Sequence, residues 1–301
     1  MEAQPFAATS DGASEGFQPA TSFEGARQGY CFKLGEHGLG YYLDLTNDEI
    51  GHRIRRGELS NQALFMLAHR GSFRQVEGIL AEFPDRWQER QRNGATLLHW
   101  AAFKGEAAFA QAALDAGHFS VDEPGPLRQT PLHWAVVGGQ ASLVHLLLGR
   151  GADMGARDEG GATPLVLAAT HGQRTALCQL VAQAGPDAWT KLVCAVDDQG
   201  RSAAHWAAYN GEGDILKLLA RFGADFYLLD AAKCTPLHRA VQGHRGQVLE
   251  FLVERGVDPL ARNAEGQTCI DIAQGCEDCA GKETHKVLKR VLAPIGVDAD
   301  R

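Results

Sequence analysis

Four histidines, His99, His133, His205 and His238, each stand three residues after a Thr or Ser: Thr96, Thr130, Ser202 and Thr235. Histidine is the side chain most easily turned to proton transfer or metal ligation near neutral pH. Here each sits in its own stretch of chain, in the same local context, where its ring can bond back to the Thr and to neighbouring backbone. A structural role is predicted for all four. Cys276-Glu277-Asp278-Cys279, with Cys269 before it and His285 six residues after, is a second candidate. Tetrahedral zinc needs four converging ligands, commonly as two such pairs. A single pair predicts capping cysteines and no stoichiometric zinc. Gly35-x-x-Gly38-x-Gly40 lacks the G-x-G-x-x-G order and no βαβ pattern surrounds it, so no phosphate cradle is predicted. H-E-x-x-H does not occur, and no nucleophile-plus-base arrangement for acyl transfer or hydrolysis is legible. The reading is therefore of a protein that is not an enzyme, with no catalytic residue, no metal and no cofactor.

The remaining chemistry is aromatic. Trp100, Trp134 and Trp206 stand four residues after Thr96, Thr130 and Ser202, and Leu167 and Arg239 hold the same place after Thr163 and Thr235. Three residues further on come Phe103, Val137, Thr170, Tyr209 and Gln242. On a helix these two positions share one side. Two readings compete: the rings fill gaps between neighbouring helices, or they line a groove for an extended peptide, with Trp and Tyr supplying the anchoring area. On the second reading the partner-binding set is Trp100, Phe103, Lys104, Trp134, Val137, Trp206 and Tyr209. The Lys104 ammonium would favour an acidic or carbonyl-rich ligand.

The elements that must carry these residues repeat. Thr130-Pro131-Leu132-His133 returns as Thr235-Pro236-Leu237-His238, with looser copies starting at 96, 163, 202 and 268, so the steps are 34, 33, 39, 33 and 33. Leu67-Ala68-His69-Arg70-Gly71 continues the pattern one unit earlier without Thr-x-x-His. Gly151-Ala152-Asp153, Gly223-Ala224-Asp225 and Gly256-Val257-Asp258 each follow 21 residues after their Thr or Ser. From 96 onward Thr, or Ser202, suits the cap of each first helix, and Pro131, Pro164 and Pro236 suit its first turn. Leu and paired Ala make an apolar stripe, and Gly139, Gly172 and Gly211 suit the turn into a second helix such as the one around Leu143 to Leu148. One unit cannot bury its own stripe, so stacking must supply the core. The step of 39 predicts an enlarged turn near Gly185 to Asp198. His244, at the usual turn glycine, predicts a distorted turn.

A period of 33 with Thr-Pro-Leu-His and Gly-Ala-Asp is identified as the ankyrin repeat, which implies an all-α solenoid of about seven helix-turn-helix units. The run Thr96-Leu97-Leu98-His99-Trp100-Ala101-Ala102, the irregular linker Val121-Asp122-Glu123-Pro124-Gly125, and then Thr130-Pro131-Leu132-His133-Trp134-Ala135 resembles the ankyrin domain of DHHC-type protein S-acyltransferases. So do Ala204-His205-Trp206-Ala207-Ala208-Tyr209 and Ile270-Asp271-Ile272-Ala273. The resemblance covers about residues 62–293. It implies recruitment of substrates through short extended peptides, using a Trp that matches Trp134 and an Asn in the preceding unit, whose place Lys104 takes here. The Asp-His-His-Cys string of that family does not occur.

Composition bounds the rest. The chain has 301 residues, enough for about two domains, with Lys+Arg 29 against Asp+Glu 37 and a net charge of −8. No basic stripe offers itself to phosphates, which excludes a nucleic-acid partner. No run approaches the roughly 20 apolar residues of a membrane span, so no direct membrane insertion is expected. The start lacks a basic segment followed by an apolar run, and seven cysteines are an odd number, so a reduced, cytoplasmic setting is expected. Residues 1–28, rich in Gly, Ala, Ser and Thr, predict disorder. Residues 29–58 predict a short aromatic and glycine-rich hairpin or clip, then a helix capped at Thr46-Asn47-Asp48-Glu49 and running through Ile50 and Ile54. Residues 59–293 are the repeat domain and 294–301 a polar tail. The opening Met1 and that tail predict a complete chain. The leading expectation is a non-catalytic adaptor binding a protein or peptide on its concave surface. The alternative is the substrate-recruiting part of an S-acyltransferase.

Overall fold

The structure is a computed structural model and describes residues 17–19, 30–35, 38–43, 46–55, 62–275 and 279–295. Two compact units divide the chain, Met1–Arg92 and Asn93–Arg301.

In the first unit, strands β1 (Phe17–Pro19), β2 (Tyr30–Gly35) and β3 (Gly38–Leu43) form an antiparallel sheet in the order β1-β3-β2. β2 and β3 pair from Tyr30↔Leu43 to Gly35↔Gly38. β1 lies inside the segment whose composition predicts disorder; the rest of 1–28 lies outside the described residues, as does the tail beyond 295. Helix α1 (Asn47–Arg55) packs on α2 (Gln62–His69) and α3 (Phe73–Glu82), burying Ile50 and Ile54 among them. Arg55 Nε donates to Glu82 Oε1 at 2.8 Å across the α1–α3 contact.

In the second unit, short helices alternate between two layers. The first layer holds α4 (Leu97–Lys104), α6 (Pro131–Val137), α8 (Pro164–Thr170), α11 (Ala203–Asn210), α13 (Pro236–Gln242) and α15 (Cys269–Gln274). The second holds α5 (Ala107–Asp115), α7 (Ala141–Gly149), α9 (Arg174–Gln183), α12 (Gly213–Arg221), α14 (Gly246–Glu254) and α16 (Cys279–Leu292). Each first-layer helix packs on the next, so that Leu98, Leu132, Leu165 and Leu237 and the paired residues Ala101/Ala102, Ala168/Ala169 and Ala207/Ala208 are buried between neighbours. Alanine here is what lets helices this short approach closely enough to share a core.

Two expectations about the turns need correction. The 39-residue step does not enlarge a turn: it inserts α10 (Pro186–Val193). Pro begins this helix, Leu192 and Val193 are buried, and Trp189 Nε1 donates to Phe222 O at 2.7 Å while its ring meets Phe222 edge-on at 5.5 Å. Nor is the turn at His244 distorted. His244 takes φ 57°, in the left-handed region that Gly139 (69°) and Gly172 (65°) occupy at equivalent places. Its turn keeps the same bonds, with Arg245 N donating to Ala240 O at 2.8 Å as Gln140 N donates to Ala135 O at 2.9 Å. Histidine accepts the conformation at a cost that glycine avoids.

Candidate functional site

The four Thr-x-x-His histidines are wholly buried. In each, Nδ1 accepts the backbone N–H of the Thr or Ser three residues earlier, at 3.1 to 3.3 Å. The ring is therefore neutral with its proton on Nε2, which donates to the backbone carbonyl just before the next unit's capping residue: Gln129, Ala162, Cys234 and Gln267. Each ring thus welds a helix start to the following unit. Burial pushes the acidity constants of His133, His205 and His238 below the ordinary value, outweighing the carbonyls that would raise them. Groups so enclosed hold the units together.

At the other end of the chain, the Cys269 thiol is buried, donates to Pro259 O at 3.1 Å and is pushed up to about 12 by desolvation. The side chains of Cys276 and Cys279 lie outside the described residues. Among the described residues no group of three His, Cys, Asp or Glu is placed to hold a metal ion.

The aromatic residues come together in two groups. Trp100 and Trp134 meet edge to face with centroids 5.2 Å apart, and Phe103 lies 6.2 Å from each of them, again edge-on. All three are half-buried, and the Lys104 ammonium stands 5.6 Å from the Phe103 ring centre. Val137 is half-buried one turn beyond Trp134, and its carbonyl accepts from Gln173 Nε2 at 3.1 Å. The second group is Trp206 and Tyr209, 6.2 Å apart, with Tyr209 41% exposed. Between the groups stands the unit with Leu167 and Thr170. Trp206 is fixed by its neighbours: the Arg201 guanidinium lies over its ring at 4.2 Å, and Nε1 donates to Asp197 Oδ2 at 3.0 Å. Trp134 has no such clamp.

The projecting turns explain the difference, through residues that the sequence analysis did not single out. Five residues before the capping Thr or Ser stand Asp158, Asp197, Asp230 and Asn263. One side-chain oxygen of each accepts the backbone N–H groups two and four residues on, at 2.9 to 3.0 Å. Successive turns then pair, with Leu127 O to Glu159 N, Gly160 O to Asp198 N, Gln199 O to Ala231 N and Ala232 O to Ala264 N at 2.7 to 3.0 Å. The D-x-x-G and N-x-x-G strings at 158, 197 and 263 carried this signal.

The model for ankyrin repeats (three copies) matches residues 64–158, 127–192, 165–263 and 205–280, well over half the chain. The chain belongs to the ankyrin-repeat family. The seam of capped histidines and the ladder of projecting turns are thus the joints of an ankyrin stack. Its ankyrin region is similar to palmitoyltransferase AKR1 of Lachancea kluyveri, 32% identical over 176 residues, which are 58% of this chain and 24% of that protein. AKR1 of Saccharomyces cerevisiae is 30% identical over 215 residues, or 60% of this chain and 28% of that protein. Palmitoyltransferase ZDHHC13 of Mus musculus is 29% identical over 188 residues, or 62% and 29%. The chain thus spans about a quarter of the length of these relatives. Among the described residues no helix is long and apolar enough to cross a membrane.

Proposed function

We propose that this ankyrin protein is a non-catalytic interaction module that holds an extended segment of a partner protein across its first helices, with Trp134 at the centre and Trp100, Phe103 and Lys104 beside it. The observation that carries the reading is the cluster itself: three large rings, mutually edge-on within 6.2 Å and all only half-buried, on one side of neighbouring helices. Rings serving only to fill the stack would be closed off as Leu98 and Leu132 are. Rigid aromatic surface with an open side is what anchors a peptide. Trp206, Tyr209 and Val137 extend the contact along the row. The test is selection from a displayed library of linear 12-residue peptides against the full chain. Recovered peptides should bind the Trp134→Ala variant at least tenfold more weakly, and a library that yields no binder above background refutes the reading.

The similarity to palmitoyltransferases supports a second reading, in which the same groove recruits substrates for an S-acyltransferase. It is favoured if the purified chain, added to a palmitoyltransferase preparation, raises acylation of a protein bearing a selected peptide. Equal acylation with and without the chain counts against it.

A further inference from the structure

Trp134 and Trp206 hold equivalent places in their repeats, yet their indole nitrogens meet different surroundings. Trp206 Nε1 donates to Asp197 Oδ2 at 3.0 Å, and Arg239, which has that place in the next repeat, donates through Nε to Asp230 Oδ2 at 2.6 Å. Both carboxylates come from the residue nine positions earlier, which opens the projecting turn. Nine positions before Trp134 stands Gly125. Its turn keeps one backbone bond of the sister turns: Gly125 N donates to Gln129 O at 2.9 Å, as Asp197 N does to Arg201 O at 2.9 Å and Asp230 N to Cys234 O at 3.1 Å. The carboxylate is lacking, and Gln129 N donates instead to Pro126 O at 2.9 Å. Trp134 Nε1 is buried and has no hydrogen-bond partner, although the residue as a whole is only half-buried.

Buried donors in native proteins are nearly always matched, so an orphan calls for an explanation. The chain cannot supply the acceptor from this turn, because a Cβ on Gly125 would stand 2.4 Å from His99 Nε2, and that ring is fixed by Thr96 and by the Gln129 carbonyl. Resting on the groove reading above, we propose that the acceptor is a carboxylate brought by the partner: an acidic side chain or a free C-terminus that takes the place Asp197 and Asp230 hold in the sister repeats. The turn it must approach holds Leu127 at φ 53° and Arg128 at φ 58°, both in a region unfavourable to such residues. Shifting this turn to admit a ligand group releases that backbone strain against the loss of the bond from Glu159 N to Leu127 O at 2.7 Å. Arg128 is exposed and adds positive charge on the same turn, which suits an anionic group.

The test reads the indole N–H signals of the ¹⁵N-labelled full chain by nuclear magnetic resonance, the Trp134 signal being the one lost in Trp134→Phe. Three probes are titrated: N-acetyl-aspartyl methylamide for an acidic side chain, N-acetylglycine for a free C-terminus, and N-acetyl-asparaginyl methylamide as the neutral match. The Trp134 indole proton should move downfield saturably with at least one carboxylate probe and not with the neutral one, while Trp206, already bonded to Asp197, stays put. Which carboxylate acts tells side chain from C-terminus. A Trp134 signal that responds no more to carboxylates than to the neutral probe overturns the proposal. Peptides selected on the groove provide a second measurement, since Trp134→Phe keeps a ring and removes the N–H. A loss of at least tenfold supports the subsite. Full affinity for Trp134→Phe, with affinity lost in Trp134→Ala, leaves the groove standing and removes the carboxylate subsite.

Discussion

Lowering the pH below about 6.5 should weaken this fold through the histidine seam. His133, His205 and His238 are buried with Nδ1 already accepting a backbone N–H, so the native ring can take a second proton only by breaking that bond in a site closed off from the surface. Their acidity constants are lowered in the fold, desolvation being the main cause. The unfolded chain, in contrast, takes up these protons as the pH falls through about 6.5. Between that value and the lowered native ones the unfolded state binds more protons, so stability is full above the window and falls with pH inside it. Each ring contributes up to about 1.4 kcal/mol per pH unit, and the three together up to about 4 kcal/mol per unit. Asp271, held low by its bonds to Thr268, acts only below its ordinary 3.8 and leaves this window clear. The assay is the urea midpoint at fixed ionic strength and pH 7.5, 6.5 and 5.5. It should change little over the first interval and drop sharply over the second, with His133→Gln taking about a third off the slope. A midpoint that is flat from 7.5 to 5.5, or that rises on acidification, refutes the assignment of these rings as neutral joints.

Three further variants probe the packing, each read by thermal and urea unfolding. Leu132→Ala empties a fully buried place in the middle of the stack and should cost about 2–5 kcal/mol. Gly125→Ala puts a methyl group 2.4 Å from His99 Nε2, where no flexible side chain can yield, and should cost about 1–3 kcal/mol. Leu127→Gly removes a 62% exposed side chain from a left-handed backbone position and should raise stability by about 1 kcal/mol.

Much of the repeat architecture was legible because its determinants are local and recur. Thr130 and Pro131 fix a helix start, His133 joins it to the next unit, and the spacing of such strings sets the register. The insertion was harder. Pro186 to Val193 is eight residues, too short for periodicity to declare a helix, and what holds it is the long-range bond of Trp189 to Phe222. The aromatic row was found by position, but position alone made Trp134 and Trp206 equal. Their difference depends on a residue nine places back, Gly125 against Asp197, whose carboxylate reaches the indole only through the fold of the projecting turn. His244 misled for the opposite reason: a residue that disfavours the left-handed region was read as a break, while the turn bonds on either side of it hold the backbone in place.

The central claim is that the Trp134 ring cluster is a partner-binding surface. The most direct measurement is the affinity of a library-selected peptide for Trp134→Ala, taken beside wild type at a temperature where both give the same helical circular dichroism and lie below their melting transitions. Loss of an anchor of this kind is worth about 2 kcal/mol or more, roughly 30-fold in affinity. The account predicts a loss of at least tenfold in a protein that remains folded. Unchanged affinity in the folded variant, with only a lowered melting temperature, would contradict it and make the cluster packing.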